Sequence, residues 1–307
     1  MASLTKNKNV KIKDTFGDKV LNWFTGFFLI FVIAIVAYPL MFVISASFSS
    51  SKALEAGKVF MFPVDPTLYA YQFVLGYEPV WTGFRNTIFY CAWGVFLDTF
   101  LTLLVAYPLS RPNFAGKRAY TMVFYLSTRI GAGLIPGFLL RVDLGMYDTL
   151  WPILFPGAVA VGNILVLRTA IKSGIPGELF DAAMIDGASH FQCMITLVLP
   201  LAKATLSVLV LYSLVGHWNE YFNAMIYLSN KELYPLQLVL RPVMTAGAGS
   251  QGINAAESAT SSQAQKDEGL EHVRYALIVI TTAPIIVAYS FVEKYFEKGM
   301  MMGSVKG

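Results

Sequence analysis

From Trp23 to Ala46 the chain carries no charged residue. A helix rises about 1.5 Å per residue and the hydrocarbon core of a bilayer is about 30 Å thick, so this run is long enough to cross a membrane. It is too long for the apolar core of a cleaved signal peptide, and Pro39 within it is tolerable in a membrane helix. A retained first span is therefore expected at 22–46. Five further apolar runs lie near 84–110, 119–140, 150–171, 195–217 and 273–292. Only 14% of the chain is charged, well short of the roughly 25% of soluble domains. These runs predict an all-α polytopic membrane protein with six spans.

Orientation follows from the basic residues. Lys6, Lys8, Lys11, Lys13 and Lys19 precede the first span; Arg111, Lys117 and Arg118 follow the second. Arg168 and Lys172 follow the fourth, and Lys294, Lys298 and Lys306 follow the sixth. With six spans all four groups fall on one side, which places both termini in the cytoplasm. The expected organisation is a tail over 1–20, a membrane body over 21–294 and a second tail over 295–307, with external loops 47–83 and 218–272 and a cytoplasmic loop 172–194. The net charge of +4 is this positive-inside bias and calls for no nucleic acid.

Within loop 172–194 lies a segment unlike its surroundings, Glu178-Leu179-Phe180-Asp181-Ala182-Ala183-Met184-Ile185-Asp186-Gly187-Ala188-Ser189. Pro176 suits a first helical turn, and Glu178 and Asp181 place negative charge at the positive end of the helix dipole. Leu179, Phe180, Ala183 and Met184 are expected to form one apolar flank. Gly187 breaks the helix, and Ser189 is placed to cap a second one running through Phe191, Met194 and Leu197. The product is a helix–Gly–helix elbow on the membrane face, where Ala182 and Ala183 permit close approach of a partner. Amphipathic helices that merely float on lipid carry Lys on the polar face, and this one is acidic.

Enzyme chemistry finds no footing. His190, His217 and His272 are widely separated, Cys91 and Cys193 make no metal spacing, and neither GxSxG, HExxH nor a Walker A loop is present. No catalytic residue, metal or cofactor is expected. The glycines of 246–265 belong to a small, polar stretch that reads as flexible loop.

The elbow resembles the EAA loop of binding-protein-dependent ABC importer permeases, E-L-x-E-A-A-x-I-D-G-A-S followed by an aromatic and later L-P. Ala182, Ala183, Asp186, Gly187, Ala188, Ser189 and Leu199-Pro200 match it, and Asp181 stands where that family usually has Glu. Gly133-Leu134-Ile135-Pro136, Leu144-Gly145-Met146-Tyr147-Asp148-Thr149, the stretch from Leu236 to Arg241 and the tail from Tyr295 to Gly307 look like the maltose-type oligosaccharide branch. More narrowly they are similar to the subgroup importing alginate or pectin fragments. The resemblance implies the type I importer permease fold in a bacterial cytoplasmic (inner) membrane. It implies a homologous second permease, two ATPase subunits that bind ATP and magnesium, an extracytoplasmic solute-binding protein and a glycan substrate. Glu178, Asp181–Ala183 and Asp186–Ser189 would then form the helix that seats in a groove of an ATPase subunit.

Three further features bear on a transport path. Trp218, Asn219, Tyr221 and Asn223 combine rings with amides at the outer end of the fifth run, which suits the CH faces and hydroxyls of sugars but equally an interfacial anchor. Asp98 and Arg129 are charges inside apolar runs, each a candidate functional residue and each a candidate partner of the other. Gly131, Gly133 and Gly137 allow close helix packing or a broken helix lining the path. An ion-coupled secondary transporter using Asp98, or a receptor-like membrane anchor, is the competing reading.

Overall fold

The computed structural model describes the backbone of residues 15–246 and 263–304 and the side chains of 15–242 and 273–293. Among these residues all regular structure is helical. The expected stretch 246–265 and most of both tails lie outside the described residues or side chains.

Three helices are long and apolar enough to cross a bilayer alone: α1 (Phe16–Phe48), α2 (Glu78–Ser110), and the Val273–Glu293 stretch of the last helix. Asp18 starts α1 by accepting the Thr15 N–H at 2.8 Å. The apolar body of α1 is bare; it buries only Ser45, Ala46 and Ser47, at its end. Pro79 sits in the first turn of α2, where a missing N–H costs nothing.

The middle runs are interrupted. The 119–140 run forms α3 (Lys117–Ser127) and α4 (Leu134–Asp143), with 128–133 non-helical between them. Gly133 takes φ +81° there, a conformation that a Cβ would strain. The 150–171 run forms a short turn, Trp151–Leu154, then α5 (Val161–Gly174), with Pro156 and Gly157 in the break. After α6 (Gly177–Ile185) the chain runs from His190 to Leu201 through a π-helical turn at Met194–Val198. It then bends by 86° into α7 (Lys203–Trp218). Pro200 contributes no N–H to that ladder, a common cause of such a break. Counting the bent pair as one, four candidate spans are present among the described residues. The chain closes with α8 (Leu236–Ala246) and α9 (Gln263–Ser304), which outruns its predicted 273–292 at both ends.

α2 is the organising element, packed by α7, α5 and α8, and α7 in turn packs on α9. Its two ends meet different groups. Near its start Asn86 donates to the Glu232 carbonyl at 2.6 Å and the Tyr90 hydroxyl to that of Leu233 at 2.7 Å. Asp148 joins this end by accepting the Ser229 and Asn230 N–H groups, both at 2.8 Å. Near its finish Tyr107 and Leu109 share a core with Ile164, Leu167, Phe180 and Val198. From Tyr90 to Tyr107 the helix rises by about 25 Å.

Candidate functional site

The elbow is built as local chemistry requires. α6 starts after Pro176 with Glu178 in its first turn and ends where Gly187 turns at φ +84°. Ser189 then caps the next helix reciprocally: its Oγ accepts the Gln192 N–H at 3.3 Å, and Gln192 Oε1 accepts the Ser189 N–H at 2.7 Å. One ring fastens the elbow to the bundle. Phe180 is 2% exposed, 6.2 Å from the Tyr107 ring, with the Arg111 guanidinium 3.7 Å above its centroid. Burying such a ring stabilises by about 1.5–3 kcal/mol. The Tyr107 hydroxyl also lies 3.1 Å from His190 Nδ1, so one α2 side chain holds both arms.

Helical phase divides the elbow into two faces. Phe180, Ala183 and Ala188 turn into the core. Glu178, Asp181, Ala182 and Ile185, spaced i, i+3, i+4, i+7, share the exposed face, with Asp186 and Ser189 exposed at the bend. Ile185 is 86% exposed, an apolar residue set among carboxylates. The expected flank is thus corrected: Leu179 and Met184 are exposed, and of the two alanines only Ala182 is free to meet a partner. The sequence spacing fits two faces, and only tertiary packing selects which is covered.

A basic frame surrounds the elbow's root. Arg168 Nε donates to the Leu109 carbonyl at 3.0 Å and Lys117 Nζ to that of Arg111 at 3.0 Å. Lys172 stands one turn beyond Arg168 on α5. The Lys117 amine is held below its usual range by burial and by Arg168, Lys172 and Arg111.

Asp98 and Arg129 do not pair. Asp98 is buried between α2 and α7, where Ser213 donates to its Oδ2 and His217 Nε2 lies 3.1 Å from the same oxygen. Its Oδ1 has no hydrogen-bond partner. Gly94, one turn before Asp98, leaves the recess that the His217 ring occupies. His217 and Ser213 were not singled out by sequence; the only signal is matched four-residue spacing, Gly94–Asp98 against Ser213–His217. Arg129 sits in the break between α3 and α4, exposed, donating to the Tyr125 hydroxyl at 3.2 Å and lying over its ring.

The 218–223 cluster splits. Trp218 is buried, its indole N–H donating to the Thr281 carbonyl at 3.0 Å and its ring edge-on to Phe84. It offers no face to a solute, a correction to its expected place on the path. Tyr221 is exposed with the Arg241 guanidinium over its ring. Asn219 is exposed and Asn223 half-buried, the latter fixed by two bonds to the Glu220 carboxylate at 2.8 and 2.9 Å. Arg129 touches none of them. Among the described residues no group of three His, Cys, Asp or Glu gathers that could hold a metal.

Residues 87–302 match the family model described as binding-protein-dependent transport system inner membrane component. Across 92% of this chain and 96% of its own length, the polygalacturonan/rhamnogalacturonan transport system permease protein YtcP of Bacillus subtilis is 30% identical. Protein LplC of the same species is 32% identical over 89% and 90% respectively. A solved bacterial ABC transporter involved in the import of the acidic polysaccharide alginate contains a chain 30% identical to this one. It superposes with a TM-score of 0.81, over 93% of this chain and 99% of that one.

Proposed function

Because this chain belongs to the family of binding-protein-dependent transport system inner membrane components, we propose that it is one permease subunit of an ATP-driven importer of acidic polysaccharide fragments in a bacterial cytoplasmic membrane. The observation that carries this reading is the exposed face Glu178, Asp181, Ala182, Ile185 and Asp186, displayed on an elbow that Phe180 roots in the bundle. That face docks in a groove of an ATPase subunit, with Gly187, Ala188 and Ser189 setting its angle. ATP, with magnesium, is bound and hydrolysed there and not in this chain. Closure of two ATPases drives this elbow and that of a second, homologous permease together, and α5 and α7 carry the motion into the bundle. An extracytoplasmic binding protein supplies the glycan from the opposite side.

Six crossings with both termini cytoplasmic fit this role. The substrate class rests on relatives whose substrates are acidic polymers and on Arg129, a cation exposed in a helix break. Arg129 faces a uronate carboxylate, and Tyr221 with Asn219 and Asn223 lines the outer part of the path. An ion-coupled transporter using Asp98 gains no support, since Asp98 already bonds Ser213 and His217.

The test uses the full importer in proteoliposomes with its binding protein. Ile185→Arg leaves the fold intact and lowers ATPase co-purification and ATP-dependent oligogalacturonate uptake together, by tenfold or more. Arg129→Ala keeps co-purification and loses uptake of oligogalacturonate more than of a neutral oligosaccharide. Undiminished co-purification in Ile185→Arg overturns the docking face; equal losses for both sugars overturn the role of Arg129.

A further inference from the structure

The basic frame at the elbow's root has a property that force transmission does not require. Arg111, Lys117, Arg168 and Lys172 converge on the turn that ends α2, and each contact they make is to an uncharged group. Arg168 and Lys117 donate to main-chain carbonyls, and Arg111 lies on the Phe180 ring. Among the described residues none of the four forms an ion pair with a carboxylate. Uncompensated like charges repel, and such a group is an anion site in waiting. The Lys117 amine is depressed first by burial and then by the other three cations of the frame.

We propose that these four residues bind the phosphate of an anionic phospholipid headgroup, in the leaflet that the elbow faces. Three observations favour lipid over an acidic protein surface. Arg111 directly follows α2, Lys117 opens α3 and Arg168 stands in the last two turns of α5, so the cations sit at helix ends, where a bilayer crossed by α2 would place its headgroups. α3 buries none of its residues, and Tyr120, Met122 and Val123 expose an apolar surface beside Lys117 for an acyl chain. The elbow's exposed face is acidic, so, resting on the docking proposed above, a groove complementary to it would be basic and a poor source of carboxylates for the frame. The headgroup would brace Arg111 over Phe180 and so stiffen the elbow's root. The site stands apart from the transported glycan, and its test reads binding alone.

The full chain is placed in nanodiscs of phosphatidylcholine doped with phosphatidylglycerol, and native mass spectrometry counts phosphatidylglycerol retained after release. Each interfacial Lys or Arg contributes roughly fivefold to binding of an anionic lipid, so Arg168→Gln with Lys172→Gln lowers affinity about thirtyfold. The single exposed change Lys172→Gln gives about fivefold and guards against misfolding of the double variant. Lys52→Gln with Lys58→Gln, the same charge loss on another loop, leaves retention unchanged. Equal retention in wild type and both frame variants overturns the proposal. So does displacement of the lipid by millimolar inorganic phosphate, which would mark a soluble-anion site. Loss of ATPase co-purification with lipid retained overturns it too, by assigning the cations to a protein partner.

Discussion

At the scale of single residues, Lys117 shows how the surroundings of the elbow govern chemistry. Its amine is half-buried and stands near three other cations, first burial and then Arg168, Lys172 and Arg111 favouring the neutral form. Between this lowered value and the ordinary 10.5 the unfolded chain binds the proton more tightly than the folded one, so in that window the contribution of Lys117 to stability rises with pH. A neutral amine is the nucleophile in acylation. Arg168→Gln removes one of the cations that favour the neutral amine, so Lys117 is expected to acylate more slowly in that variant than in the wild type. Quantitative mass spectrometry of the modified lysines checks this, and an unchanged Lys117 rate in Arg168→Gln would count against the cluster. Local chemistry of this kind is partly legible in sequence. The Gly187 turn and the Ser189 cap follow from φ and hydrogen-bond needs within a few residues. Which of Leu179 and Phe180 enters the core does not, because the answer lies in Tyr107 and Arg111, some seventy residues away by chain numbering.

At the scale of elements, hydropathy finds α1, α2 and the Val273–Glu293 stretch of α9 because each is apolar helix without a break. It passes over the breaks at 128–133 and 155–160, since a kinked apolar segment has the same average as a straight one. Glycines and prolines mark both places, but apolar runs tolerate such residues elsewhere, as Pro39 and Pro108 inside α1 and α2 show. Contacts between helices are less legible still. The α2–α7 junction depends on four groups that must fit at once: Gly94 leaves the recess, His217 fills it, and Asp98 accepts from Ser213 and meets the imidazole. A methyl at Gly94 would fall on the imidazole, which has to move and release Asp98. Overpacking of this kind costs about 1–3 kcal/mol. Gly94→Ala is expected to lower the thermal midpoint of the detergent-solubilised protein, and the double variant Gly94→Ala/His217→Ala to recover part of the loss. A double variant no better than the sum of its singles would show that the recess is not what Gly94 provides.

At the scale of the whole molecule, three or four candidate spans stand against the six crossings proposed from hydropathy and charge. The pattern of hydrogen bonds is what the six-crossing proposal also rests on. Lys117 is tied to Arg111 at the finishing end of α2, whereas Arg141 bonds Tyr227 and Asp148 bonds Ser229 and Asn230 at its starting end. The chain between Lys117 and Arg141 thus travels the length of α2 although no single helix carries it. Residues 150–171 return, ending with Arg168 on Leu109. The distance, about 25 Å from Tyr90 to Tyr107 alone, is close to the thickness of the hydrocarbon core. Broken helices are tolerated at that depth when protein or a water-filled cavity covers the free backbone groups, as a translocation path would. The two topologies differ at one accessible place. If only the four long elements cross, loop 143–149 lies on the elbow's side; if six cross, it lies opposite. With Cys91 and Cys193 buried, a cysteine placed at the exposed Asp143 is readable against one at Asp186. In intact cells with the outer face made accessible, a membrane-impermeant maleimide is expected to label Asp143→Cys and to spare Asp186→Cys until the membrane is opened. Protection of both positions would return the 119–171 region to one side, and the path would then have to be built from α2, α7 and α9 alone.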